Sequence, residues 1–182
     1  MEGLHMDDNV RIAMAKWPNV PDCFGWLGLD SRGQWYMRDE CVQLMGSFQS
    51  GVAGVKGSVL SHDKLIAFIQ RNYERDALGR WYFQNGPQRV FVELESTPYI
   101  WRLSTQYEAT AHTGQIAEVN QCLVDEDGRV YLNSNLGFGL VHSLDVRLVA
   151  EAIEHGKWTP QSCLASDLSS NYEFIVSPQS TS

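Results

Sequence analysis

The sequence predicts an α+β protein, with mixed and antiparallel sheets, two main amphipathic helices and two small subdomains. Three observations lead there. Aromatic residues are abundant, with 6 Trp, 7 Tyr and 7 Phe in 182 residues, and aromatics fit the half-buried face of a sheet. Short apolar runs are repeatedly cut by Asp–Gly and Asn–Gly turn chemistry. Two longer stretches, near 61–75 and 143–156, carry apolar residues at helical spacing behind a capping serine.

Taken in order, residues 7–16 read as a short helix capped by Asp7 or Asp8, with Val10, Ile12, Ala13 and Met14 as its apolar surface. Trp17-Pro18 stops it, because proline disfavours helical geometry in the residue before it. A connector bounded by Pro18 and Pro21 leads to a strand at 26–29, a turn at 30–33 and a returning strand at 34–37. Gly46, Gly51, Gly54 and Gly57 break any periodicity, so 46–58 reads as a mobile loop. Ser61 is the expected N-cap of a helix presenting Leu65, Ile66, Phe68, Ile69 and Tyr73.

Further strands are expected at 81–83, 89–94 and 99–103, with Asn85-Gly86 as the hairpin between the first two. Pro87 after that turn is expected to widen it. Residues 116–124 and 129–132 read as a second hairpin around Asp125-Glu126-Asp127-Gly128. Ser143 caps the last helix, whose stripe is Leu144, Leu148, Val149, Ala152 and Ile153 and whose stop is Gly156. In the polar tail, 172–176 offers an edge strand, and edge pairing there gives a route to a homodimer. The expected organisation is an N-terminal helix and connector over 1–23, an α+β subdomain over 24–105, and a second over 106–182 that ends in the tail.

One pattern recurs: Asp30-x-x-Gly33-Gln-Trp35-Tyr36, Asp76-x-x-Gly79-Arg-Trp81-Tyr82 and Asp125-x-x-Gly128-Arg-Val130-Tyr131. Independent use of one tight turn explains it, with aspartate bonding the backbone and glycine at positive φ. The sharper alternative joins the first and third copies as a repeated hairpin–helix–strand unit, which splits the chain near 104–113.

Composition narrows the function classes. A net charge of −8 with only 14 scattered basic residues disfavours nucleic acid, whose non-specific binding rests on Lys and Arg. It also disfavours anionic membranes. No apolar run approaches the roughly 18–20 residues that span a bilayer. The start, MEGLHMDDNV, has acids where an export signal has bases. The expected setting is therefore the cytoplasm, with Cys23, Cys41, Cys122 and Cys163 as free thiols. No C-x-x-C pair signals zinc or a redox dithiol.

The strings Lys16-Trp-Pro-Asn-Val-Pro21, Arg71-Asn-Tyr73, Trp81-Tyr-Phe-Gln-Asn-Gly-Pro-Gln-Arg-Val-Phe-Val92, Thr97-Pro-Tyr99 and His112-Thr-Gly114 resemble a family of short bacterial proteins of unknown function. The resemblance covers most of residues 7–155 and leaves out 41–58 and the tail after Trp158. More faintly, the order of turn, helix, aromatic strand and Pro-aromatic strand is similar to a second uncharacterised bacterial family with a two-domain α+β fold. The resemblance implies architecture and a bacterial cytoplasmic setting, and it carries no reaction or catalytic residue.

Several chemistries fail on spacing. In Gly51-x-x-Gly54-x-x-Gly57-Ser58, Lys56 precedes the last glycine, whereas a phosphate loop needs the lysine after it. A calcium loop at 125–128 would start at Leu123, which offers no oxygen ligand. His5, His62, His112, His142 and His155 show no metal spacing. His112 is the one histidine in a polar loop, where a surface residue or a general base are the two readings.

The best binding candidate is the segment bearing Gln84, Asn85, Gln88 and Arg89. It puts amides, a rigid Gly86-Pro87 and a guanidinium between aromatic strands, a set suited to a carboxylate, a phosphate or a protein partner. The competing structural role has the amides satisfying turn backbone and Arg89 pairing with Glu93 or Glu95.

The expectation is a non-enzymatic module that binds a small molecule or protein, or regulates one, through Gln84, Asn85, Gln88, Arg89 and His112, with no cofactor or metal. The alternative is a small hydrolase or transferase pairing His112 with a carboxylate such as Glu93, Glu95 or Glu118.

Overall fold

The computed structural model describes residues 6–182, so His5 lies outside the described residues. Two units emerge. The first comprises residues up to Asp30, then Gln34–Glu95 and Ile175–Ser182; the second comprises Ser31–Gly33 and Ser96–Phe174.

Unit 1 contains α1 (Asp8–Lys16), β1 (Cys23–Leu29), β2 (Trp35–Met37), α2 (Glu40–Leu44), β3 (Ser58–Val59), α3 (Asp63–Arg71), β4 (Tyr73–Arg75), β5 (Trp81–Asn85) and β6 (Gln88–Leu94). Its sheet runs β3-β2-β1-β6-β5-β4, with β1 and β6 parallel and the other neighbours antiparallel. Unit 2 contains β7 (Tyr99–Leu103), β8 (Ala109–Ala111), β9 (Ile116–Ala117), β10 (Val119–Val124), β11 (Val130–Ser134), β12 (Phe138–Val141), α4 (Val146–Glu154), β13 (Pro160–Ser162) and α5 (Leu168–Asn171). Its sheet runs β13-β10-β11-β12-β7-β8-β9, and β7 lies parallel to β12.

Both sheets therefore share one plan. Two three-stranded meanders are joined by parallel pairing of the first strand with the last, β1 with β6 and β7 with β12. The repeat suspected in the turn motifs lies in strand topology. The helices do not follow it, since α3 sits between the two meanders of unit 1 whereas α4 follows the last meander strand of unit 2.

The three Asp-x-x-Gly turns have one construction. Asp30, Asp76 and Asp125 each accept, on Oδ1, the backbone N–H four residues on, at 2.9 Å in every case. Gly33, Gly79 and Gly128 sit at φ +82°, +87° and +79°, where a side chain is strained. Ser104 opens a fourth such turn between β7 and β8, its hydroxyl accepting from the Glu108 N–H at 3.1 Å. There Tyr107 occupies the glycine position at φ +63°, and its hydroxyl hydrogen-bonds His155 Nδ1 at 2.8 Å.

The Asp125 copy is the most heavily bonded. Its carboxylate accepts from the N–H groups of Asp127 and Arg129, from Tyr131 Oη at 2.8 Å and from Arg129 Nε at 3.0 Å. Burial raises its pKa, but the hydrogen bonds from Tyr131 and the backbone hold it below the ordinary value. Asp125→Ala is expected to destabilise the protein by about 2 kcal/mol, because it leaves buried donors without an acceptor. Urea unfolding of the purified variant reads this directly; an unchanged midpoint would show that the turn needs only its glycine.

The structure revises several expectations. The unit boundary falls at Glu95–Ser96 rather than after 105, because β7 pairs with β8 and β12 and so belongs wholly to the second sheet. The N-terminal helix is part of unit 1: the Asp7 N–H donates to Asn72 Oδ1 at 3.0 Å, and its carboxylate takes two hydrogen bonds from Arg71. Of its apolar residues Val10 is buried, while Ile12 and Met14 are exposed. His62, not Ser61, caps α3, accepting the Leu65 N–H on Nδ1. His142 likewise takes the capping role expected of Ser143, which lies in a 3-10 turn ahead of α4. The strand expected at 116–124 is broken at Glu118 into β9 and β10.

Residues 46–58 are tied down rather than loose. Arg38, fully buried, donates to the carbonyls of Val55, Gly25 and Gly46 at 2.9, 3.3 and 2.7 Å. Phe48 and Val55 of this segment are core residues. No strand forms at 172–176. Glu173 is left-handed at φ +54°, Phe174 is buried, and the edge that was to pair in a homodimer is absent. Instead Val176 accepts the Leu94 N–H at 2.9 Å, which returns the last eight residues to unit 1.

Candidate functional site

The β5–β6 hairpin builds the site. Gly86 has φ +58° and takes the first central position of the turn. Proline cannot adopt positive φ, so Pro87 forces a type II′ turn in place of the Asn-Gly type I′ turn that the sequence suggests. Asn85 then pairs with Gln88 and Gln84 with Arg89 across the hairpin. Tyr82 and Phe91 form the second pair along, beyond Phe83 and Val90, so Tyr82, Gln84, Arg89 and Phe91 share one face.

On that face the Arg89 guanidinium lies 5.5 Å from the Tyr82 ring centre and 5.2 Å from that of Phe91. Its Nε and Nη2 donate to the two carboxylate oxygens of Asp22, at 3.0 and 2.9 Å. The hydrogen bonds that Arg89 donates to Asp22 outweigh burial and raise the Arg89 pKa, so the cation is permanent. Arg89 therefore pairs with neither of the carboxylates expected in its structural role. Glu93 is buried and accepts from the Ser177 hydroxyl at 2.5 Å and the Gln179 N–H at 3.1 Å, and Glu95 pairs with Lys56.

The amides divide their roles. Gln88 Nε2 donates to the Pro21 carbonyl at 3.0 Å, tying the Pro18–Pro21 connector to the hairpin. Gln84 Nε2 satisfies the turn by donating to the Gly86 carbonyl at 3.0 Å. Gln84 Oε1, however, accepts no hydrogen bond from any described residue, although the side chain is 1% exposed. A buried carbonyl left this way costs about 1–3 kcal/mol. Asn85 is exposed at the end of β5.

Between α1, the connector and the hairpin lies a groove of about 620 Å³, whose walls include Met14, Trp17, Asp22, Tyr82, Gln84 and Arg89. Trp17 is half-exposed there, with Lys16 Nζ 4.6 Å from its ring centre. Burial, then the charge of Glu74, raises the pKa of Tyr82, so the phenol stays protonated. The groove thus presents an ion pair and aromatic surface, with the unsatisfied Oε1 of Gln84 buried within its wall. The reading from sequence located Gln84, Gln88 and Arg89 and overlooked Trp17 and Asp22. Their signal was the string Trp17-Pro-Asn-Val-Pro-Asp22, in which rigid prolines hold an aromatic and an acid clear of both flanking elements.

His112 belongs to unit 2 and departs from the surface-loop reading. Its Nδ1 accepts the Ile100 N–H at 3.2 Å, its Nε2 is buried, and its ring centre stands 6.0 Å from that of Tyr99. Desolvation pulls its pKa down to about 3. A general base works best with a pKa near the operating pH, and this imidazole is far below it. Burial raises the Cys122 thiol to about 11, the opposite of an activated nucleophile. Among the described residues no group of three or more His, Cys, Asp or Glu side chains is placed to hold a metal.

A family described as "Protein of unknown function (DUF2946)" matches residues 6–179. The chain belongs to this family. The family match takes in both the 41–58 segment and the tail after Trp158, which the resemblance read from the sequence leaves out. No curated protein matches the chain. A solved structure of a DUF1285 family protein from Silicibacter pomeroyi DSS-3 is similar at 13% identity and a TM-score of 0.48, covering 76% of this chain and 74% of that one. Both families are uncharacterised. Among the described residues no helix is long and apolar enough to cross a membrane.

Proposed function

We propose that this chain is a non-enzymatic binding module of the bacterial cytoplasm, whose ligand occupies the groove between α1, the connector and the β5–β6 hairpin. The observation that carries this reading is Gln84 Oε1. A native protein rarely keeps a buried acceptor without a donor, and Gln84 stands in the groove wall, where a ligand donor can meet it when the amide turns outward. The Asp22–Arg89 pair supports it by holding the guanidinium 5.5 Å and 5.2 Å from the ring centres of Tyr82 and Phe91.

The test is a titration of small aromatic, carboxylate and amide fragments into purified protein, followed by the side-chain N–H resonances of Trp17 and Gln84. Binders are expected to move both resonances and to weaken about tenfold or more in Arg89→Met, as expected for a clamped arginine at the centre of a site. Binding that leaves Trp17 and Gln84 unmoved, or no binding at all, overturns the proposal.

A further inference from the structure

The shared topology of the two units offers a view of what the groove is shaped to hold. Counting from the turn aspartates, Tyr82 and Gln84 follow Asp76 by the same steps as Tyr131 and Asn133 follow Asp125. Across the hairpins, Arg89 pairs with Gln84 as Phe138 pairs with Asn133. The shelf of unit 1 is the Arg89 guanidinium beside the Tyr82 ring, 5.5 Å away. That of unit 2 is the Phe138 ring stacked beside Tyr131, also at 5.5 Å.

In unit 2 this shelf is already covered by the chain itself. Tyr172 stacks on Phe138 with ring centres 4.0 Å apart and planes 13° from parallel, and its hydroxyl donates to Gln121 Oε1 at 2.5 Å. An aromatic ring lies on the shelf, and its polar tip serves the carbonyl of Gln121, which stands opposite Asn133, the counterpart of Gln84, on the neighbouring strand. In unit 1 the matching shelf borders the open groove, and there a glutamine carbonyl, Gln84 Oε1, has no donor.

We infer that the groove of unit 1 receives an aromatic ring bearing an O–H or N–H donor, the chemistry of a tyrosine or tryptophan side chain, with the ring on the Tyr82–Arg89 shelf and the donor on Gln84 Oε1 once the buried amide turns towards the groove. The inference rests on the groove being the binding site and adds the class of its ligand. A guanidinium attracts an aromatic face through the ring quadrupole, and Asp22 keeps this one from swinging out to solvent. The buried carbonyl supplies selectivity, since a site built around a hydrogen bond rejects the analogue that lacks it.

The experiment compares p-cresol and 3-methylindole, which carry donors, with toluene, which has the ring alone. Each is titrated into the full chain and into Gln84→Met, with the side-chain resonances of Trp17 and Arg89 as the readout. In the native chain the two donors are expected to bind about tenfold or more tightly than toluene. In Gln84→Met that preference is expected to vanish while toluene binding persists. Equal binding of p-cresol and toluene to the native chain overturns the inference. Binding of only non-aromatic fragments in the groove also overturns it, yet leaves the groove as a binding site; no binding in the groove by any fragment removes both. L-tyrosine and N-acetyl-L-tyrosinamide, run alongside, separate a free amino acid from a residue within a peptide: preference for the first assigns the free form, preference for the second a chain.

Discussion

Arg38→Met lowers the stability of unit 1 by about 3–5 kcal/mol, the range for removing one member of a buried charge arrangement. Arg38 has no exposed surface, and its guanidinium donates to three backbone carbonyls rather than to a carboxylate. Desolvation lowers its pKa, while the negative charge of Glu93 pulls it back up. Methionine fills a similar volume but leaves the Gly25, Gly46 and Val55 carbonyls without a donor and Glu93 without its counter-charge. Lysine does little better, because one ammonium cannot reproduce the planar fork that reaches three acceptors. Urea unfolding provides the measurement. The double variant Arg38→Met/Glu93→Gln is expected to recover part of the loss, since the two charges are coupled. Full additivity of the two changes would show that Arg38 acts on the loop carbonyls alone.

Acidification weakens the fold through His112 before the carboxylates titrate. The folded pKa is about 3, against about 6.5 for an unperturbed histidine. Between those values the unfolded chain binds a proton that the folded chain refuses, so stability falls as pH falls. Above pH 6.5 both states are neutral at this residue and nothing is lost. One proton is worth about 1.4 kcal/mol per pH unit, so by pH 4.5 the loss reaches about 2–3 kcal/mol. His112→Gln keeps an acceptor for the Ile100 N–H and removes the titration. The stability of the native chain relative to the variant should therefore fall by about 2–3 kcal/mol between pH 7 and pH 4.5, whatever their difference at pH 7. Parallel curves across that range would show that the imidazole is solvated when folded.

Below pH 4 a second loss is expected in both proteins. Asp7, Asp76, Asp125 and Asp145 all have folded pKa values below the ordinary 3.8, so their stabilisation is present above that value and disappears as they protonate.

Much of the candidate site was readable before folding. Gln84, Gln88 and Arg89 stand in a hairpin whose turn residues and aromatic flanks announce themselves locally. Asp22 was not readable as Arg89's partner: the two are 67 positions apart, and Glu93 and Glu95 are much nearer along the chain. The same distance problem hid the orphaned Gln84 carbonyl, because an absent hydrogen bond is a property of everything packed around it. His112 misled for a related reason. Its neighbours Thr113 and Gly114 suggest a surface loop, yet its Nδ1 turns inward onto the Ile100 N–H and its Nε2 is buried.

Local chemistry settled the turns, their glycines, the two strongest amphipathic helices and the α+β class, since each depends on φ preferences and periodicity within a few residues. Strand order, the parallel β1–β6 and β7–β12 pairings, the boundary at Glu95–Ser96 and the burial of Arg38 came only with folding. Those features rest on contacts between residues far apart in the chain, and short-range propensity carries no information about which distant strand, carbonyl or carboxylate will be met.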